Sequence, residues 1–151
     1  MIATDIGTKL RVPRQAMTTV EAIVPVIELP QNVGPLMGGR VTAPDVVAAN
    51  IGSGRFIVGA NVSPKTIEST DALAVTLHRD GQKLHATTGA DVAGGQAQNL
   101  MALINQIIDE GHVIHRGDII ISGALGGAKP AEKGSYAADF GALGKIEFKI
   151  E

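Results

Sequence analysis

Cysteine is absent from all 151 residues. Disulfides, thiolate metal sites and cysteine nucleophiles are excluded with it. Tryptophan is absent too, and one Tyr and three Phe make up the aromatic complement, so the core has to be aliphatic. Neither charge sign dominates: 13 Lys and Arg stand against 15 Asp and Glu, a net charge of -2, with the two signs interspersed. Without a basic stripe nothing marks a nucleic-acid surface. Residues 1–20 contain no unbroken apolar stretch, being interrupted by Asp5, Lys9, Arg11 and Arg14. They read as neither a signal peptide nor a membrane span, and the cytoplasm is the expected compartment.

Apolar residues reach 44% and charged residues 19%, so the chain has the means to bury a core. Its length suits one domain over residues 1–151. Nineteen glycines around short β-branched runs favour tight turns and a β-rich fold. Ile2 to Val12 reads as a strand stopped by Pro13. Met17 onward reads as a helix with Thr18-Thr19 as N-caps, limited by Pro25. Val24 to Leu29 is an apolar strand. Residues 30–44, with three prolines and three glycines, form a loop of functional length. Ala43-Pro44-Asp45 opens a short helix. Residues 71–79 alternate and meet residues 82–88 through the hairpin signal Asp80-Gly81. Leu100, Leu103, Ile104, Ile107 and Ile108 mark one face of a helix over 98–110, ended by Gly111. Asp118 to Gly123 reads as a buried strand, residues 131–134 as a turn, and 144–150 as a last alternating strand.

Glu28 closes the apolar run Val24-Pro25-Val26-Ile27 and precedes Leu29-Pro30. A carboxylate there either reaches solvent from an edge strand or binds a hard cation such as Mg²⁺ or Mn²⁺. Asp5, in a similar run, gains interest only beside Glu28. The turn Asn50-Ile51-Gly52-Ser53-Gly54 offers backbone N–H groups and a hydroxyl that could hold a carboxylate, or it is an ordinary turn. The loop Ser122-Gly123-Ala124-Leu125-Gly126-Gly127 lets a ligand approach the backbone closely. It lacks the closing Gly-Lys-Ser/Thr of a phosphate loop. His78 and His85 flank the hairpin turn and read as exposed. His112 and His115 lie in a loop, and no zinc motif is present. Lys129 reads as a solvated lysine or an active-site one.

Taken in order, these landmarks resemble one family. Val24-Pro25-Val26-Ile27-Glu28-Leu29-Pro30, the block Val47 to Gly59 and the block Gly117 to Gly126 are similar to segments of the 2-keto-4-pentenoate hydratases and related 2-oxo acid decarboxylases. These are a branch of the fumarylacetoacetate hydrolase superfamily, and the likeness is to its C-terminal domain. The resemblance implies an α+β fold, a mixed β-roll with peripheral helices. It also implies a hydro-lyase or decarboxylase acting on a small 2-oxo acid. In the family a Glu-x-Glu or Glu-x-Asp pair and a later Glu bind the metal. Here Asp5 fits the second position, Glu28 the third, and Ala3 replaces the first, which implies weak Mg²⁺ or Mn²⁺ binding. Asn50, Gly52, Ser53, Ser122, Gly123, Ala124 and Leu125 fall at substrate positions, and Lys129 is the candidate for proton transfer. About a hundred residues that precede this region in the family, an active-site lysine among them, have no counterpart here. A second polypeptide supplying them, or a non-catalytic binding or assembly domain, are the alternatives.

The family is oligomeric, and a chain this apolar has surface to cover. The expectation is a homodimer or larger. Light scattering at micromolar concentration should give at least twice the 15.6 kDa chain mass; a monomer would refute it.

Overall fold

A computed structural model of the chain describes residues 1–31, 34 and 41–151. Most of the expected 30–44 loop therefore lies outside the described residues. The chain forms two compact units, one of residues 1–25 and 59–151, the other of residues 26–58.

In the larger unit, helix α1 spans Pro13–Thr18 and helix α3 spans Gln96–Asp109. Four strands follow the order β4-β3-β5-β6: β3 (Ala74–Arg79), β4 (Gln82–Thr88), β5 (Gly134–Asp139) and β6 (Lys145–Ile150). Every pairing in this sheet is antiparallel. In the smaller unit, β1 (Val26–Leu29) pairs antiparallel with β2 (Arg55–Val58), and α2 (Ala43–Ala48) lies between them in sequence. The architecture is a mixture of helices and antiparallel sheets. No helix among the described residues is long and apolar enough to cross a membrane.

The hairpin turn follows its sequence: Asp80 and Gly81 take φ of 50° and 80°, the positive values a two-residue type I′ turn requires. Helix α3 also behaves as its spacing dictates. Ile104 has no exposed surface and packs with Ile2, Ile6, Ala16 and Ile114, while Leu100, Met101 and Ile107 flank this cluster. Gly111, at φ 83°, follows the helix end. Asp71 Oδ1 accepts the Gln96 N–H at 2.8 Å, placing a carboxylate at the helix start.

Three expectations need correction. Pro13 does stop the preceding segment, but it also starts a helix, its fixed φ suiting the first helical position. Thr18 and Thr19 do not open a helix after it; their hydroxyls donate back to the carbonyls of Gln15 and Ala16 and so close α1. Residues 2–12 form no continuous strand, only single bridges from Ile2 to Val20 and from Ile6 to Ile114. The triple isoleucine after Asp118 is not a buried strand either. Ile119 is 41% exposed, and among the described residues this segment has no partner strand.

Two predictions follow from this packing. Ile104→Ala should cost about 2–5 kcal/mol in urea unfolding, whereas Val47→Ala, at a site 71% exposed, should stay within about 0.5 kcal/mol. The second concerns acid. The Thr87 hydroxyl and then the Thr88 N–H hold Asp91 below the ordinary carboxylate range. The Gly141 N–H and then Lys145 do the same for Asp139. Depressed folded values mean stability that is complete above the unfolded value of about 4 and is lost as pH falls through the folded values. Urea midpoints should thus hold near neutrality and drop below about pH 4. The double change Asp91→Asn and Asp139→Asn should flatten that drop; an unaltered slope would refute the assignment.

Candidate functional site

Asp5 stands next to the core residue Ile6, whose backbone pairs with that of Ile114. This pairing brings the Asp5 carboxylate to the following turn: Oδ1 accepts the Arg116 N–H at 2.8 Å, and Oδ2 lies 3.7 Å from His115 Nδ1. The Arg116 hydrogen bond, outweighing a small opposing desolvation and helped by the His115 ring, holds Asp5 below its usual pKa. Asp5 is therefore an exposed carboxylate kept ionised.

Ser122, Gly123, Ala124 and Leu125 follow in the same unit. Their loop has no regular structure, yet one side chain from a helix and one from a strand fasten it. Asn99 on α3 donates Nδ2–H to the Ser122 carbonyl at 2.5 Å. His85 on β4 places Nε2 3.2 Å from the Leu125 carbonyl. Beyond exposed Lys129, Arg79 on β3 pairs with Glu132 at 2.5 Å, and the Tyr136 hydroxyl on β5 donates to the Glu132 carbonyl at 2.7 Å. His85, expected to be exposed, is half-buried, as is His78.

Glu28 lies in the smaller unit, exposed on β1 opposite Phe56 of β2. Its solvent-facing placement matches the simpler of the two sequence readings. The Asn50–Gly52 turn meets the end of this hairpin, since Gln31 N–H donates to the Gly52 carbonyl at 2.7 Å. Gly52 is buried, at φ 69°, and a Cβ there would sit 2.5 Å from the Gln31 carbonyl oxygen. Close backbone packing therefore explains this glycine. Two of the backbone donors expected of the turn are spent locally: Gly52 N–H donates to the Ala49 carbonyl and Ser53 N–H to that of Asn50. The Asn50 amide and the Ser53 hydroxyl remain on exposed residues.

Asp5 and Glu28 belong to different units. Among the described residues, no three His, Asp or Glu side chains gather in a cation-holding group. An open concavity of about 330 Å³ lined by Ile67, Glu68, Ser69, Ala72, Leu73 and Ala142 contains none of the candidates. Sequence reasoning read His85 only as an exposed residue beside the hairpin and did not single out Asn99. The alternation of β4 and the period of α3 were visible, but nothing in either indicated a bond to a loop distant in sequence.

No protein-family model matches the chain. It is 28% identical over 137 residues to a 4-oxalocrotonate decarboxylase of Pseudomonas sp., covering 90% of this chain and 52% of that protein. It is 33% identical over 104 residues to the 2-keto-4-pentenoate hydratase of Burkholderia vietnamiensis, covering 68% and 39%. The solved structure of 4-oxalocrotonate decarboxylase from Pseudomonas putida G7 complexed with magnesium and adipate superposes with a TM-score of 0.81 at 21% identity, over 97% of this chain and 56% of that one. The same enzyme complexed with calcium and acetate gives 0.80. The chain thus spans about half the length of the relatives it matches. The likeness in sequence, 33% identical over 68% of this chain in the case of the hydratase, shows the family, and the fold agrees with it: the chain belongs to the fumarylacetoacetate hydrolase superfamily, on the branch of the 2-keto-4-pentenoate hydratases and 4-oxalocrotonate decarboxylases.

Proposed function

We propose that the chain is a divalent-metal-dependent protein of the hydratase or decarboxylase type, acting on a small 2-oxo acid. The observation that carries this reading is the alignment of 90% of the chain with a 4-oxalocrotonate decarboxylase. The structural neighbours complexed with a divalent cation and a carboxylate support it.

Asp5 and Glu28 would hold the cation. Their chemistry fits: both are exposed carboxylates, and oxygen donors suit Mg²⁺ or Mn²⁺. A bound divalent cation supplies positive charge against the substrate carboxylate and against charge developing on the 2-oxo oxygen. The protein's own part is recognition. In this proposal Ser122, Gly123, Ala124 and Leu125 contribute, with the side chains of Asn50 and Ser53; Gly52, whose N–H and C=O are spent on Ala49 and Gln31, does not. Lys129, exposed on the same loop, is assigned proton transfer. Self-association belongs to the same reading. It is supported by exposed apolar side chains in each unit: Val47 and Phe56 in one, Val113 and Ile119 in the other, each at least 41% exposed.

Calorimetric titration with Mg²⁺ tests the ligand set. Ala3→Glu restores the third carboxylate and should tighten binding roughly tenfold to a hundredfold, the worth of a charge-assisted contact. Glu28→Gln should weaken binding with or without that change, since it removes charge and keeps shape. If neither substitution moves the affinity, the metal site is absent and a non-catalytic binding domain becomes the better reading.

A further inference from the structure

We propose that His85 and Asn99 are positioning residues for the substrate. Each holds one carbonyl of the 122–126 loop so that the next peptide N–H is presented to the anionic end of a 2-oxo acid. This deepens the proposed function and rests on it.

The geometry comes from peptide planarity. No peptide bond among the described residues is cis, and in a planar trans peptide the C=O and the following N–H point in opposite directions. Asn99 binds the Ser122 carbonyl, so the Gly123 N–H is directed away from Asn99. His85 binds the Leu125 carbonyl, so the Gly126 N–H is directed away from His85. For this bond His85 must carry its proton on Nε2. Neither glycine N–H finds an acceptor among the described residues, and both glycines are exposed. Their φ values are 103° and 88°, in the left-handed region where glycine is favoured. Backbone N–H groups without a protein acceptor are available to an anion's oxygens.

His85 also shapes the loop sterically. A Cβ on Gly126 would lie 2.0 Å from His85 Nε2 and 2.3 Å from Cε1. The ring therefore occupies the space any larger residue at 126 would need, and fixes the loop by contact as well as by its hydrogen bond. A loop fastened in this way offers its donors already oriented, which spares the ordering cost of binding.

The test is titration of pyruvate, the simplest 2-oxo acid, into the full chain saturated with Mg²⁺. His85→Ala and Asn99→Ala should each weaken pyruvate binding about tenfold. Mg²⁺ affinity measured without pyruvate and the far-ultraviolet circular dichroism should stay as in the unsubstituted chain. His85→Gln, whose side-chain amide can donate to the same carbonyl, should recover most of the loss. Gly126→Ala should also weaken binding, and combining it with His85→Ala should cost less than the two separate losses together, because both act through one contact. Unchanged pyruvate affinity in both alanine variants overturns the inference while leaving the proposed function standing. So does a loss that only tracks Mg²⁺ affinity or helix content. If the unsubstituted chain binds no pyruvate with any divalent cation, the proposed function falls and takes this inference with it.

Discussion

Ile104 is packed from all sides by Ile2, Ile6, Ala16 and Ile114, and much of the larger unit hangs from that contact. The N-terminal segment has no continuous strand ladder to hold it. Two buried isoleucines and single bridges place it instead. Once Ile6 is buried beside Ile114, its neighbour Asp5 has to emerge at the 115–116 turn, where the Arg116 N–H receives it. Once Ile2 is buried, its N–H takes the Asp118 carbonyl at 2.9 Å, which sets the start of the segment leading to Ser122. A core of few aliphatic side chains thus positions both an ionised carboxylate and a glycine loop. Loss of that packing would release them together.

What could be read from the sequence depended on whether the cause was local. The β3–β4 hairpin was legible because Asp80-Gly81 states its own turn type. Helix α3 was legible because its apolar period is unbroken and Gly111 ends it. The strand β6 was legible from its alternation. Strand β5 was missed, since Gly134, Ser135, Ala137 and Ala138 carry little β propensity. It is a strand because β3 lies on one side and β6 on the other, with Tyr136 stacked on Phe148 at 4.9 Å. The converse failure is the isoleucine run after Asp118, where strong propensity meets no neighbouring strand among the described residues. In both cases tertiary pairing overruled composition.

The candidate site divides along the same line. The types of its residues were readable: carboxylates for a hard cation, and glycines for close approach. The contacts that give them function were not. Gly52 and Gly126 looked alike in sequence, each in a small-residue turn, yet they do opposite things. The Gly52 N–H and C=O are consumed by Ala49 and Gln31. At Gly126 the preceding carbonyl is taken by a distant histidine, and the N–H has no acceptor among the described residues. A glycine whose N–H is spent within its turn and one whose N–H has no acceptor among the described residues are distinguished only by where their backbone bonds go.

This accounting also bears on how strongly the carboxylates can hold a cation. The contacts that keep Asp5 ionised are the ones a cation would have to share. One oxygen is committed to the Arg116 N–H and the other faces the His115 ring. Glu28 has no such commitment among the described residues, but it is exposed, and water must be displaced before an exposed carboxylate can ligate. With Ala3 where the family has a further carboxylate, nothing on this segment makes up for either cost. Mg²⁺ gives up its own water reluctantly and keeps several waters even in good sites. The affinity expected of this chain is therefore low unless the substrate supplies oxygen donors of its own. A 2-oxo acid does so through its carboxylate and keto oxygens, and in the proposed function the glycine loop would receive that carboxylate. In the proposed function, cation and substrate would then bind better together than either does alone.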